Sequence, residues 1–185
     1  MHIAVYSGSF NPLHIGHLSI LKHLSDDSDI DRIYLVVSPK NPLKEGISCA
    51  SAGKRLNDAQ EAVRRHNLPK VDVCDIELGM PEPHYTIRTL DKLRETEPEN
   101  RFTLIMGADQ IADIHRWKDF DRILTEYGAL VYPRKGFELQ NIIKALQKEN
   151  KNFRIGIINA LMVDVSSTMI RNGLAEGKDM TEYLM

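Results

Sequence analysis

The sequence has little cysteine, little tryptophan and no long apolar run. Its 185 residues include two cysteines and one tryptophan, and aromatic residues make up 6%. Cys49 and Cys74 lie far apart, which excludes a disulfide-stapled miniprotein and favours two reduced structural thiols. No apolar run approaches the ~18 residues of a membrane-spanning helix, and the N-terminus shows no basic patch followed by a long apolar region. We therefore expect a cytoplasmic protein without membrane association.

Positive and negative side chains are present in nearly equal numbers. The 24 Lys and Arg against 26 Asp and Glu give a formal net charge of -2. This balance argues against a dedicated nucleic-acid binder, because such proteins carry a basic face or tail. At about 150 residues per domain, the length predicts one domain spanning residues 1–185, with no internal repeat or linker. The sequence leaves a homo-oligomer open.

Short apolar runs rich in β-branched residues alternate with longer amphipathic segments. This alternation predicts an α/β fold, a Rossmann-like doubly wound parallel sheet with helices on both faces. In such sheets ligands bind beyond the carboxyl ends of the strands, here after Tyr6, Val37, Met106 and Tyr132. Strands are predicted at residues 3–6, 33–37, 71–73, 102–106, 129–132, 155–158 and 162–163. Helices are predicted at residues 17–24, 52–66, 86–95, 120–126, 139–149 and from 166 or 167 onward, with a loop at 40–51 and an irregular segment at 76–83.

The segment after the first strand contains two histidines among glycines and a proline. It reads Gly8-Ser9-Phe10-Asn11-Pro12-Leu13-His14-Ile15-Gly16-His17. A glycine at its start lets a phosphate or ribose approach the backbone. His14 and His17 lie three residues apart at a helix N-terminus, which favours an anion, and both imidazoles can donate hydrogen bonds to phosphate oxygens. The alternatives are histidines without a task or, on weaker grounds because a third ligand is lacking, a zinc site.

Two other phosphate-binding patterns fail. No G-x-G-x-x-G follows the first strand, so the fingerprint of an NAD-binding dehydrogenase is missing. Six residues separate Gly46 from Gly53 where a P-loop has four, and Lys54 is followed by Arg55 instead of Ser or Thr.

A second polar cluster lies near the C-terminus, in Val165-Ser166-Ser167-Thr168-Met169-Ile170-Arg171. Hydroxyl residues at a helix start normally act as an N-cap, but their hydroxyls and N–H groups can equally bind a phosphate. Arg171 follows one turn after Ser167 or Thr168, so its guanidinium could reach the same anion and hold two of its oxygens.

Together, G-S-F-N-P-L-H-I-G-H and S-S-T-M-I-R resemble the paired signature of the nucleotidylyltransferase superfamily with the H-x-G-H motif. The resemblance spans residues 3 to about 174, with the second motif in the part that starts near residue 160. It implies a Rossmann-like fold and transfer of AMP or CMP from a nucleoside triphosphate to a phosphate acceptor, with release of pyrophosphate. Asn11 departs from the pattern, because many members have Asp there, and the resemblance would lead us to expect a further helix after Met185.

Within the superfamily, the middle of the chain resembles the bacterial nicotinate-nucleotide adenylyltransferases. Pro83-His84-Tyr85-Thr86-Ile87-Arg88-Thr89-Leu90 is similar to their P-S-Y-T-x-x-T-L segment. Met106-Gly107-Ala108-Asp109, with Trp117 eight residues after Asp109, is similar to their G-A-D…W segment, and Pro42-Leu43-Lys44 to a loop that supplies a lysine. The alternatives are adenylyl transfer to phosphopantetheine or to nicotinamide mononucleotide, and a catalytically silent nucleotide-binding protein.

The resemblance implies that the substrates are ATP and nicotinate mononucleotide, with Mg²⁺ held mainly by the ATP phosphates. Taken alone, Asp109 could instead be an N-cap, Trp117 a packing residue and Arg134 a surface turn residue. The implied catalytic residues are His14, His17, Lys44 and Arg171. The implied ATP contacts are Gly8, Ser9, Phe10, Gly16, Gly107, Asp109, Arg134, Ser167 and Thr168, and the implied acceptor contacts are Tyr85, Thr86 and Trp117.

Overall fold

The computed structural model describes residues 1–39 and 51–185. The strands in this part are β1 (His2–Gly8), β2 (Arg32–Val37), β3 (Val71–Cys74), β4 (Arg101–Gly107), β5 (Ala129–Tyr132) and β6 (Ile155–Ile157). They form one sheet in the order β3-β2-β1-β4-β5-β6, and every neighbouring pair is parallel. The predicted Rossmann-like parallel sheet is therefore confirmed.

Helices cover both faces of the sheet. The two faces separate within β1, where Ile3 and Val5 pack into one apolar cluster and Ala4 and Tyr6 into another. Both faces of a parallel strand are buried in this fold class, which explains why β1 reads as a continuous apolar run. The helices are α1 (Ile15–Asp26), α2 (Ala52–Arg65), α3 (Thr86–Thr96), α4 (Ala108–Ala112), α5 (Phe120–Arg122, continued by a π-helical turn at Ile123–Tyr127), α6 (Leu139–Glu149) and α7 (Ser167–Ala175).

The helices divide between the two clusters according to their apolar spacing. Leu21 and Leu24 of α1 pack on the face of Ala4 and Tyr6. Leu90 and Leu93 of α3 pack on the face of Ile3, together with residues of α4 and α6. Residues three apart lie on one side of a helix, so each helix presents one apolar stripe to the sheet and a polar side away from it.

The predicted strand at residues 162–163 is wrong. Residues 158–166 contain no regular element, and the backbone is held instead by a side chain of α1, since Ser19 Oγ donates to the Leu161 carbonyl at 2.7 Å. The last strand, β6, ends at Ile157, and residues 162–163 pair with no described strand. Two smaller differences are that α1 begins at Ile15, not His17, and that Ile76–Gly79 forms a short 3-10 helix.

The order of the strands places a crevice between β1 and β4, where the direction of winding reverses. Ligands of doubly wound sheets bind outside the carboxyl ends of the strands at such a point. Gly8 and Gly107 are the last residues of these two strands. Among the described residues, no helix is long and apolar enough to span a bilayer. The predicted loop at 40–51, with Lys44, lies outside the described residues except for Ser51.

Candidate active site

Three adjoining cavities run along the carboxyl edge of the sheet. The outer cavity, of about 330 Å³, lies between the loop after β5 and residues 160–166. The central cavity, of about 310 Å³, lies between the loop after β1 and the start of α7. The small cavity, of about 70 Å³, lies between β1, β4 and the start of α3. The outer and central cavities share His14 and His17, and the central and small cavities share Ser7 and Gly8.

His14 and His17 stack on one another beside the central cavity. Their ring centroids are 3.7 Å apart and the ring planes differ by 28°. His14 is the N-cap of α1, and its backbone N–H donates to His17 Nδ1 at 3.2 Å. That bond leaves Nδ1 of His17 without a hydrogen, so in the neutral ring the hydrogen is on Nε2. The spacing of three residues brings the pair together, as the sequence predicts.

His14 is neutral near pH 7. Burial, reinforced by the positive charge of Arg134, lowers the pKa of His14 to about 4. Its side chain is almost inaccessible, with 3% of the residue exposed, and Nδ1 has no hydrogen-bond partner. A Cβ at Gly16 would lie 3.0 Å from that nitrogen, so the glycine provides the space for the His14 ring.

Phe10 closes the loop over the second histidine. Its backbone has φ 43°, and its ring meets the rings of His17 and Tyr6 edge-on at centroid distances of 5.2 and 5.4 Å. A Cβ at Gly8 would lie 3.1 Å from the Phe10 ring. A side chain at position 8 would therefore press on the Phe10 ring, and Gly8 also lines the central cavity together with Ser9 and Phe10.

Helix α7 is tied to the histidine loop by two hydrogen bonds. Ser167 Oγ donates to the Pro12 carbonyl at 2.9 Å, across 155 positions of sequence. Arg171 donates to the Asn11 carbonyl at 2.7 Å and to Thr168 Oγ1 at 3.1 Å. The N-cap of α7 is Ser166, which accepts from the Met169 N–H. The two sequence motifs therefore meet at the central cavity, which Ser167, Thr168 and Arg171 line.

A carboxylate and a guanidinium lie on the opposite strand ends. Asp109, in the first turn of α4, has Oδ1 3.4 Å from Arg134 Nε. Arg134 also donates to the Tyr132 hydroxyl at 3.3 Å. A Cβ at Gly107 would collide with the Asp109 carboxylate and lie 3.1 Å from the Tyr132 ring. Asp109 and Arg134 both line the central cavity, whereas Gly107 is not among its lining residues.

The small cavity collects the three predicted acceptor residues. Tyr85 is the N-cap of α3, Thr86 is the first residue of that helix, and Trp117 follows a short 3-10 helix after α4. Trp117 is half-buried and packs against the hydrophobic core, and it also lines the small cavity, so its contact with an acceptor stays a prediction.

Sequence reasoning missed three buried polar residues of the small cavity, which are Ser38, Glu77 and His84. Glu77 and His84 both line it, with 1% and 8% of their surface exposed. Nδ1 of His84 has no hydrogen-bond partner. Nothing in the local sequence identifies Glu77, because a glutamate before a Pro-rich segment is typical of an exposed turn.

Arg55 was also missed, although α2 carries a signal for it. Arg55, Ala59 and Ala62 follow the i, i+4, i+7 spacing of a buried helix face. The guanidinium donates to the Ser38 carbonyl at 2.8 Å and to the Pro39 carbonyl at 3.1 Å, and also to the Ser9 carbonyl. Arg55 therefore connects the loop after β1 with the end of β2.

Within residues 1–39 and 51–185, no three metal-ligating side chains come together. Asp109 lines the central cavity, and its carboxylate is paired with Arg134. The central cavity therefore offers hydrogen-bond donors and positive charge for an anion, and a cation bound there would depend on ligands carried by that anion.

This chain is similar in sequence and in fold to known proteins. The cytidylyltransferase-like family model matches residues 5–173. The chain is 37% identical over 184 residues to a probable nicotinate-nucleotide adenylyltransferase of Flavobacterium johnsoniae, covering 100% of this chain and 92% of the relative. A relative of the same name from Bacteroides thetaiotaomicron is 36% identical, with 97% and 85% coverage. The chain belongs to the cytidylyltransferase-like family, among the nicotinate-nucleotide adenylyltransferases.

Two solved structures have the same fold as this chain. The nicotinic acid mononucleotide adenylyltransferase of Plasmodium falciparum complexed with NaAD superposes with a TM-score of 0.84 at 23% identity, covering 99% of this chain and 90% of that one. The same Plasmodium enzyme complexed with APC gives a TM-score of 0.81 at 22% identity, with the same coverage. At these identities the similarity establishes the shared architecture.

Proposed function

We propose that this chain transfers AMP from ATP to nicotinate mononucleotide, giving deamido-NAD and pyrophosphate. The observation that carries the proposal is that His14, His17 and Arg171 line one central cavity with a further cavity on each side. A triphosphate needs a cradle of donors, with room for a nucleoside on one side and for the second substrate on the other. The name of the curated relatives supports the same reaction.

The three cavities suggest an order for the bound groups. Adenosine would occupy the outer cavity, the phosphates the central cavity and the pyridine ring the small cavity. Asp109 would accept hydrogen bonds from ribose hydroxyls beside Gly107, and Arg134 would contact the nucleotide from the shared wall of the outer and central cavities. The loop residues Gly8, Ser9 and Phe10 would form the floor under the phosphates, and Gly16 would line the outer cavity beside the adenosine.

In the reaction, an acceptor phosphate oxygen forms a bond to the α-phosphorus of ATP while the bond from that phosphorus to pyrophosphate breaks. The nucleophile is already an anion, so no general base is required, and positioning and charge neutralisation carry the catalysis. His17 would donate through Nε2–H, and neutral His14 through its one N–H, to the α- and β-phosphate oxygens. Ser167, Thr168 and Arg171 would hold the departing pyrophosphate. Lys44 stays a prediction for the same phosphates.

The pyridine ring of the acceptor would stack on Trp117, the only tryptophan of the chain. Tyr85 and Thr86 would form the opposite part of the small cavity, where the N–H groups at the start of α3 can bind the nicotinate carboxylate. Mg²⁺ would be held mainly by the ATP phosphates, and it would supply positive charge that neutralises part of their negative charge.

We also propose that residues 1–185 act as one nucleotidyltransferase domain in the cytoplasm. The support for one domain is that the central cavity takes side chains from both the first strand and α7. Size-exclusion chromatography with light scattering would settle whether the protein is a homo-oligomer.

The test is pyrophosphate release with ATP, Mg²⁺ and a panel of acceptors. We expect nicotinate mononucleotide to be the fastest acceptor. If phosphopantetheine or nicotinamide mononucleotide is faster, the acceptor assignment is wrong. If ATP binds and no acceptor reacts, the protein is a nucleotide-binding protein without this activity.

A further inference from the structure

Glu77 is a fully buried carboxylate at the wall of the small cavity. Its two oxygens accept hydrogen bonds from three hydroxyls that belong to different elements. Ser7 Oγ donates from the end of β1 at 3.3 Å, Thr89 Oγ1 donates from α3 at 2.8 Å, and Ser38 Oγ donates from the end of β2. The hydroxyls satisfy the oxygens with hydrogen bonds, but they bring no positive charge.

Among the described residues, no lysine, arginine or histidine pairs with Glu77. The ion pairs in residues 1–39 and 51–185 involve other carboxylates, and most of their side chains are substantially exposed. Buried carboxylates in proteins are normally paired with a cation, because transfer of an unpaired charge from water is costly. Glu77 is therefore a buried carboxylate without a cationic partner among the described residues.

The acceptor of the proposed reaction carries a positive charge that fits this position. In a pyridine mononucleotide the ring nitrogen is bonded to ribose, so the ring is a pyridinium cation. Trp117 lines the same cavity as Glu77, and an indole face attracts a cation. Thr86, at the positive end of the α3 dipole, also lines it and suits the ring carboxylate.

We propose that Glu77 is a specificity-determining residue whose carboxylate is the counter-charge of the acceptor's pyridinium ring. The inference rests on the proposed function. It adds that the small cavity selects a cationic ring by charge, in addition to the stacking surface and the helix N-terminus. A zwitterionic ring then finds a negative group and a positive helix end within one cavity.

Two small inhibitors of matched shape isolate the ring charge. N-methylnicotinate has a pyridinium ring and a carboxylate, and 3-methylbenzoate has the same outline with an uncharged ring. We expect the wild-type protein to bind N-methylnicotinate more tightly, measured as inhibition constants against nicotinate mononucleotide and by equilibrium titration without ATP. For Glu77→Gln we expect this preference to fall by about tenfold, within what attraction between unit charges a few ångströms apart can supply.

Two further variants distinguish an effect of the Glu77 charge from an effect on the local fold. Thr89→Val removes one hydroxyl donor but leaves the carboxylate, and we expect it to keep the preference for the charged ring. Glu82→Gln neutralises an exposed carboxylate in the neighbouring turn and should leave the inhibition constants of both inhibitors unchanged. If Glu77→Gln weakens both inhibitors equally, Glu77 only supports the local fold and the proposal is overturned.

The wild-type measurement keeps the proposal testable if Glu77→Gln does not fold, because equal binding of the two inhibitors to the wild-type protein also overturns it. The proposed function is tested separately by turnover of nicotinate mononucleotide. Turnover together with an unchanged ring preference in Glu77→Gln refutes only the role of Glu77. Absence of turnover refutes the proposed function itself.

Discussion

The central cavity and the small cavity are built in different ways. The central cavity joins two short motifs, each compact in sequence, through hydrogen bonds to backbone carbonyls of the histidine loop. The small cavity has a buried carboxylate in its wall, and the hydroxyls bound to it come from three elements. The polar side chains of the central cavity come from two local motifs, whereas those around Glu77 in the small cavity are single residues from separate elements.

The difference shows where sequence patterns carry information about function. Groups three residues apart on a helix, such as His14 and His17, have their relative position fixed by one helical turn. Glu77 lies far along the chain from Ser7 and Ser38, so their meeting depends on the order of strands in the sheet. Variants in the two regions should accordingly fail in different ways, and four predictions test this.

The largest effect is expected in the central cavity, for His17→Ala. We expect kcat to fall by at least ~10²-fold, the scale of losing one preorganised donor to the reacting phosphates. Pyrophosphate release at saturating substrates measures it, and circular dichroism checks that the variant folds. His23→Ala, in the last turn of the same helix, is the matched control. A His17→Ala rate near wild type would remove this imidazole from the catalytic role.

Arg171→Lys tests the connection between the two motifs. The ammonium keeps the positive charge, but it cannot reproduce a fork that holds both Asn11 and Thr168. A lost charge-assisted hydrogen bond is typically worth about 1.5–3 kcal/mol, so we expect kcat/KM for ATP to fall by about 10- to 100-fold. Arg64→Lys, on the exposed side of α2, should have no effect. Equal values for both variants would show that only the charge of Arg171 matters.

Trp117→Ala tests the small cavity. We expect mainly a higher KM for the acceptor, on the ~1–3 kcal/mol scale of a lost stacking contact, with the KM for ATP unchanged. Phe137→Ala, an exposed aromatic in the turn before α6, is the control. An unchanged acceptor KM would leave Trp117 as a packing residue, and an equal rise in the KM for ATP would contradict the separation of the two cavities.

The smallest effect is expected in the pH dependence of stability. The pKa of His14 is lowered to about 4 in the folded protein, whereas an unfolded histidine takes up a proton below about 6.5. The unfolded state therefore binds more protons between these values, and the stability of the folded state falls as the pH drops below 6.5. From pH 7 to pH 5 we expect the wild-type protein to lose roughly 1–2 kcal/mol relative to His14→Asn.

Denaturant unfolding of both proteins at the two pH values measures this difference. The pKa values of His2 and His66 are also lowered, mainly by burial, and the comparison with the variant cancels their contributions. Parallel changes in the two proteins would mean that His14 does not titrate as its burial implies.

Most strands and long helices of the described residues could be predicted, because their apolar spacing is a local property. The strand predicted at residues 162–163 was wrong, because these residues pair with no described strand and Ser19 of α1 binds the adjacent backbone at Leu161. Arg55 was overlooked because arginine is rarely buried, yet here its guanidinium donates to three carbonyls of two loops.

The sequence by itself determined the alternation that makes the parallel sheet, the histidine pair at the start of α1 and the hydroxyl residues at the start of α7. Each of these depends on residues within one or two helical turns or one strand, where backbone geometry fixes the neighbours. Only the tertiary structure brought Arg171 to Asn11 across 160 positions and enclosed Glu77 between Ser7, Ser38 and Thr89. Those contacts depend on which strands are adjacent and how the helices pack, and local spacing does not encode this.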